Sequence, residues 1–146
     1  MKTYALFDDS FFTHNPWWMP VKLYRVVCQR SNPRSKEYMI TLLQEKFPGA
    51  ELADSNQLDH LHGKIILLYT DAIGLGFRTI EKKLKTQKLN IRVLNGRKRD
   101  FELTSCVHRR LLIHRFLEIT FLPEILLTPF VLLYGFFLAL NDKVKG

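Results

Sequence analysis

Asp71, Gly74 and Gly76 stand in the run DAIGLG, directly after the apolar stretch KIILLYT. A carboxylate and glycines at the carboxyl end of a strand suit ligand binding. Glycine lets a phosphate or another backbone approach closely, and the start of the next helix offers unpaired N–H groups. Thr79 stands where a dinucleotide-binding loop has its third glycine, so no nucleotide cofactor is expected. A second reactive stretch is CQRSNPRS at 28–35. A thiolate such as that of Cys28 is a nucleophile, and an arginine such as Arg34 can clamp phosphate oxygens. Asp59, His60 and His62 form a third grouping, but histidines two apart face opposite sides of a strand, and no further Cys or His cluster completes a four-ligand set. No metal is expected, and His14, His108 and His114 are scattered.

The spacing of Cys28, Arg34 and Ser35 resembles the C-x5-R-S signature of low-molecular-weight tyrosine phosphatases and related arsenate reductases. That resemblance implies Cys28 as nucleophile, Arg34 as phosphate clamp, Ser35 as partner of the thiolate and Asp71 as the acid. It extends over residues 28–35 only. Arg30, Ser31 and Pro33 fill the loop interior without a glycine, and the family's Asp-Pro acid motif is missing. The preferred expectation is a free buried or interfacial cysteine.

The elements that must position these groups read as a small α/β domain, a Rossmann-like parallel sheet with a β-hairpin. Residues 31–35, SNPRS, break the chain, and Ser35 caps a helix in which Tyr38, Leu42 and Leu43 recur at helical spacing. Phe47-Pro48-Gly49 ends it, and residues 50–53 predict a short strand, followed by a polar, turn-like stretch at 54–62. Residues 64–70 have the continuous apolar character of a central strand buried on both faces. A lysine-rich helix over 77–86, a strand over 89–94, an Asn95-Gly96 turn and a returning strand over 99–103 follow. Thr104 or Ser105 caps a basic helix over 106–117.

Charge is unevenly divided. The formal net charge is +8, and 20 of the 22 Lys and Arg residues precede Phe116. Residues 125–140 carry no charge. Residues 11–27, FFTHNPWWMPVKLYRVV, place Trp17 and Trp18 beside Lys22 and Arg25, a composition suited both to a headgroup region and to covering a core. The two cysteines, Cys28 and Cys106, form neither a disulfide framework nor a zinc spacing and point to a reducing compartment. No apolar run of signal-peptide length opens the chain.

The run TFLPEILLTPFVLLYGFFLAL at 120–140 is interrupted only by Glu124. It is long enough to cross a hydrocarbon core, which takes about 20 apolar residues. Pro123 and Pro129 leave open a segment bent near Pro129, a helical hairpin instead of a single span. Arg97, Lys98, Arg99, Arg109, Arg110 and Arg115 lie upstream, and only Lys143 and Lys145 downstream. The positive-inside rule then keeps the main domain in the cytoplasm. Arg109, Arg110 and Arg115, with Trp17, Trp18, Lys22 and Arg25, are expected to meet anionic lipid; nucleic acid is the disfavoured partner for this basic surface.

The expected organisation is an aromatic amphipathic segment at 1–30, an α/β domain at 31–104, a basic juxtamembrane helix at 105–118, a membrane segment at 119–141 and a tail at 142–146. The functional expectation is a non-catalytic accessory or scaffold protein of a membrane enzyme complex at a bacterial inner membrane, in envelope glycan or lipid-linked sugar assembly by fold-level association alone. It has the bilayer and another membrane protein or enzyme as partners. The alternative is a membrane-surface enzyme acting on a phosphorylated ligand, Cys-dependent or nucleotide-sugar-binding. Asp71, Gly74 and Gly76 are the expected ligand site.

Overall fold

A computed structural model describes residues 2–54, 58, 63–87 and 89–145, with 142–145 described by backbone only. The chain divides into two units, Met1–Leu111 and Leu112–Gly146.

The first unit is a mixed α/β structure around a five-stranded sheet of order β2-β1-β3-β4-β5. Strands β1 (Thr3–Phe7), β2 (Glu51–Ala53), β3 (Lys64–Tyr69) and β4 (Asn90–Asn95) are parallel, and β5 (Asp100–Glu102) runs antiparallel to β4. Both edge strands, β2 and β5, are three residues long. The apolar run of β3 takes the centre, paired with β1 on one side and β4 on the other. Side chains alternate across the pleat, and both faces of β3 are covered. Ile65, Leu67 and Tyr69 join Leu6, Ile91 and Val93 in one core. Ile66 and Leu68 join Ala5 and Leu94 in the other.

Helices cover the two cores. From α3 (Lys36–Lys46), Met39, Leu42 and Leu43 pack on the Ile66/Leu68 face. From α4 (Arg78–Thr86), Ile80 and Leu84 pack on the opposite face, with Leu111 from the first half of α5 (Ser105–Thr120). On that face Glu81 is fully buried. It accepts a hydrogen bond from the Tyr69 hydroxyl, and one of its oxygens lies 3.2 Å from His108 Nδ1.

The N-terminal region differs from the sequence expectation. The boundary expected at residue 31 falls inside the sheet-bearing unit, because β1 supplies a strand between β2 and β3. After the short α1 (Ser10–Thr13), residues 21–31 form a helix, α2 (Val21–Ser31). Leu23, Tyr24, Val27 and Cys28 recur at helical spacing on its less exposed side. Asn32, in the left-handed region at φ 45°, ends α2 ahead of Pro33.

In the second unit, Phe121 breaks the helical path at φ 52°, and α6 (Leu122–Lys145) follows as one helix. Pro123 lies in its first turn, where a missing N–H costs nothing. Pro129 lies inside α6 without ending it, so one helix stands where a helical hairpin was the alternative. The 20 residues Leu122–Asn141 are long and apolar enough to cross a membrane, and none of them is buried. At 1.5 Å per residue they extend about 30 Å, the thickness of a hydrocarbon core.

Candidate functional site

The carboxyl edge of the sheet brings together three loops that are distant in sequence. Arg34, between α2 and α3, donates its backbone N–H to the Thr70 carbonyl at 2.7 Å. The Gly96 N–H reaches the Asp71 carbonyl at 3.3 Å, and Asn95 Nδ2 donates to the Ala72 carbonyl at 3.1 Å. The loop after β3 is thus tied on one side to the α2–α3 junction and on the other to the turn after β4. Gly96 allows this close approach: a Cβ there would lie 2.5 Å from the Thr70 carbonyl oxygen and 2.8 Å from Arg34 Cγ.

Between these loops lies a cavity of about 180 Å³. Arg30, Arg34 and Arg97 line it together with Ser31, Asn32, Thr70 and Asp71. Its size is below that of pockets for drug-sized ligands, which start at about 300 Å³, and suits a small polar group. The Ser31 Oγ and Thr70 Oγ1 atoms are buried and have no hydrogen-bond partner among the described residues. Thr70 is only 1% exposed. Buried polar atoms are nearly always satisfied, and these two hydroxyls line the same cavity, where a small polar group could meet both. Arg30, Arg34 and Arg97 give the border of the cavity a positive charge, and guanidinium groups match phosphoryl oxygens in general. Arg34 also lies over the Tyr38 ring, 5.6 Å from its centroid.

The residues singled out from sequence fall in different places. Arg34 and Asp71 line the cavity. Asp71 is 3% exposed, and its carboxylate accepts hydrogen bonds from the N–H groups of Gly74 (2.7 Å) and Leu75 (3.3 Å), which shapes the loop. Gly74 and Gly76 are outside the lining. Both have positive φ, and a Cβ would meet the Tyr69 ring at 2.5 Å from Gly74 and Phe11 at 2.7 Å from Gly76. Packing and backbone conformation account for these glycines.

Cys28 lies within the last turns of α2, not at the mouth of a loop, and it does not line the cavity. Val26 and Val27, which precede Cys28, are helical. The Tyr24 hydroxyl is pushed up to about 12 by desolvation, with a hydrogen bond and charge interaction with Cys28 adding to it.

Of the groups expected at lipid, Trp17, Trp18, Lys22, Arg25, Arg109 and Arg110 are exposed, and Arg115 is 6% exposed. Among the described residues no three His, Cys, Asp or Glu side chains come together. Asp59, His60 and His62 lie outside those residues.

Sequence reasoning missed Arg30, Ser31, Asn32 and Thr70 as cavity residues and placed Arg97 only among the basic residues upstream of the apolar run. The signal for the first three was the SNPRS break itself, preceded by Arg30 and containing Arg34. Comparison with known proteins leaves the geometry to stand alone: no family model matches the chain, and no curated protein or solved structure does so.

Proposed function

We propose that this chain is a membrane-anchored, non-catalytic accessory domain that holds a phosphorylated ligand at the carboxyl edge of its sheet. The observation that carries the reading is the pair of buried, unpartnered hydroxyls of Ser31 and Thr70 in a cavity bordered by Arg30, Arg34 and Arg97. We read the sheet as Rossmann-like, because its strand order reverses between β1 and β3 and ligands of such sheets sit at the carboxyl ends of the strands. α6 serves as the anchor, with the sheet-bearing unit on the cytoplasmic side of a bacterial inner membrane, as the upstream excess of Arg and Lys favours. The domain then serves a membrane enzyme complex in which phosphorylated or lipid-linked sugars are handled.

Catalysis has weaker support. Cys28 is outside the cavity, and the Asp71 carboxylate is engaged by its own loop. Calorimetric titration of the full chain in detergent with inorganic phosphate and then with a sugar phosphate tests the binding reading. Arg34→Ala and Arg97→Ala should each weaken binding about 10- to 100-fold, as loss of a charge-assisted hydrogen bond of about 1.5–3 kcal/mol implies. Equal binding by both variants removes the cavity from the reading. Turnover of an aryl phosphate that is lost in Cys28→Ser would replace the binding role with an enzymatic one.

A further inference from the structure

We infer that the turn at residues 16–19 and the exposed face of α2 form a second contact with the bilayer, one that takes anionic phospholipid. The inference rests on the reading that α6 holds the chain at a membrane, and it assigns a contact that α6 does not provide.

The turn is built to display its two tryptophans. The Met19 N–H donates to the Pro16 carbonyl at 3.0 Å, and Asn15 Nδ2 donates to the Met19 carbonyl at 3.2 Å. Met19 is 3% exposed and pins the turn to the protein. Trp17, at its tip, is 95% exposed, and Trp18 is 52% exposed. Two adjacent indoles left in water beside a buried methionine form an apolar protrusion whose shape is fixed in advance. An indole favours the bilayer interface, where its ring is buried and its N–H stays wet.

The helix that follows continues the surface. Val21, Lys22, Arg25 and Val26 lie at helical spacing on the exposed side of α2. Val21 and Val26 are 54% and 46% exposed. Apolar and basic side chains alternating on one face suit a helix lying in the plane of the headgroups.

Charge selects the partner. From Ser10 to Lys36 there is no Asp or Glu, while Lys22, Arg25 and Lys36 supply positive charge apart from the cavity arginines. An acid-free basic window beside exposed tryptophans fits an anionic bilayer better than a neutral one. A chain tethered by α6 also meets the bilayer at high effective concentration, so a modest second contact is enough to form.

Trp17 and Trp18 are the only tryptophans in the chain, so intrinsic fluorescence reports on this turn alone. The full chain is reconstituted into phosphatidylcholine vesicles and into phosphatidylcholine–phosphatidylglycerol vesicles, each with brominated acyl chains, and iodide is added as a quencher from water. In the anionic vesicles the emission should shift to shorter wavelength, lose most of its intensity to bromine and become resistant to iodide. Lys22→Glu with Arg25→Glu should restore iodide quenching while the chain still floats with the vesicles. Tryptophans that stay open to iodide in anionic vesicles overturn the inference. Tryptophans shielded from both quenchers overturn it too, because they are then covered by protein, a second copy of the chain included. A chain that does not float with vesicles sinks the anchoring reading instead. The contact is then decided by adding anionic vesicles to the soluble chain, where a shift to shorter wavelength supports it and an unchanged spectrum refutes it.

Discussion

At the scale of single residues, Thr70 separates binding from folding. Its hydroxyl is buried without a partner in a wall of the cavity. Replacing an unsatisfied hydroxyl by a methyl group of the same shape relieves a desolvation penalty of about 1–3 kcal/mol. Thr70→Val is therefore expected to leave thermal stability unchanged or raise it, while weakening phosphate binding. A variant that melts well below the parent would show that the hydroxyl is satisfied in the folded protein. Residues were also the level at which the sequence was hardest to read. Gly74 and Gly76 attracted a ligand-binding reading because glycine admits a phosphate as readily as it admits a ring, and only the packed structure shows Tyr69 and Phe11 behind them. The reverse holds for Gly96, which stood out only as half of a turn and proves to seat two loops against each other.

Among the elements, α3 depends on its first turn. Ser35 Oγ accepts from the Tyr38 N–H at 3.3 Å. The Glu37 carboxyl is held below its usual value, first by its own backbone N–H, then by the Ser35 hydroxyl and the neighbouring Lys36 charge, against a small opposing effect of burial. Ser35→Ala should cost about 0.5–2 kcal/mol, the usual penalty for losing such a cap. Because the Glu37 pKa is lower in the folded than in the unfolded state, its contribution is present above the unfolded value and fades as pH falls through the folded one. Melting temperature measured against pH should fall on the acid side, and Ser35→Ala should flatten that part of the profile. Helix α3, strands β3 and β4 and helix α4 were legible because each has a long periodic or uniformly apolar signature. β1 was not: five residues, TYALF, are too few to show a period. α2 was obscured by its own surface, since tryptophans and bases overshadowed the recurrence of Leu23, Tyr24, Val27 and Cys28. The candidate cavity could not be read along the chain at all, because parallel pairing brings residues 30–34, 70–72 and 96–97 together only once the sheet exists.

For the whole molecule, the anchoring reading is tested at the middle of α6. Leu132 lies near the centre of Leu122–Asn141 and is 68% exposed in the absence of lipid. A charge there opposes insertion by about 2.5–3.5 kcal/mol. Leu132→Arg is expected to move much of the protein from the salt-washed membrane fraction to the soluble one, and an unchanged distribution would remove α6 as the anchor. If α6 anchors the chain, tethering would have a second effect, on how copies meet one another. Confinement to a surface crowds them into two dimensions, the condition under which an open sheet edge invites strand addition and polymer growth. Here each edge ends in a three-residue strand with few backbone groups to donate or accept. β5 is Asp100-Phe101-Glu102, so an antiparallel pairing of two copies centred on Phe101 would set each Asp100 against a Glu102, a like-charge register that repels. The fold thus carries its own protection against fibrillar self-association at high surface density.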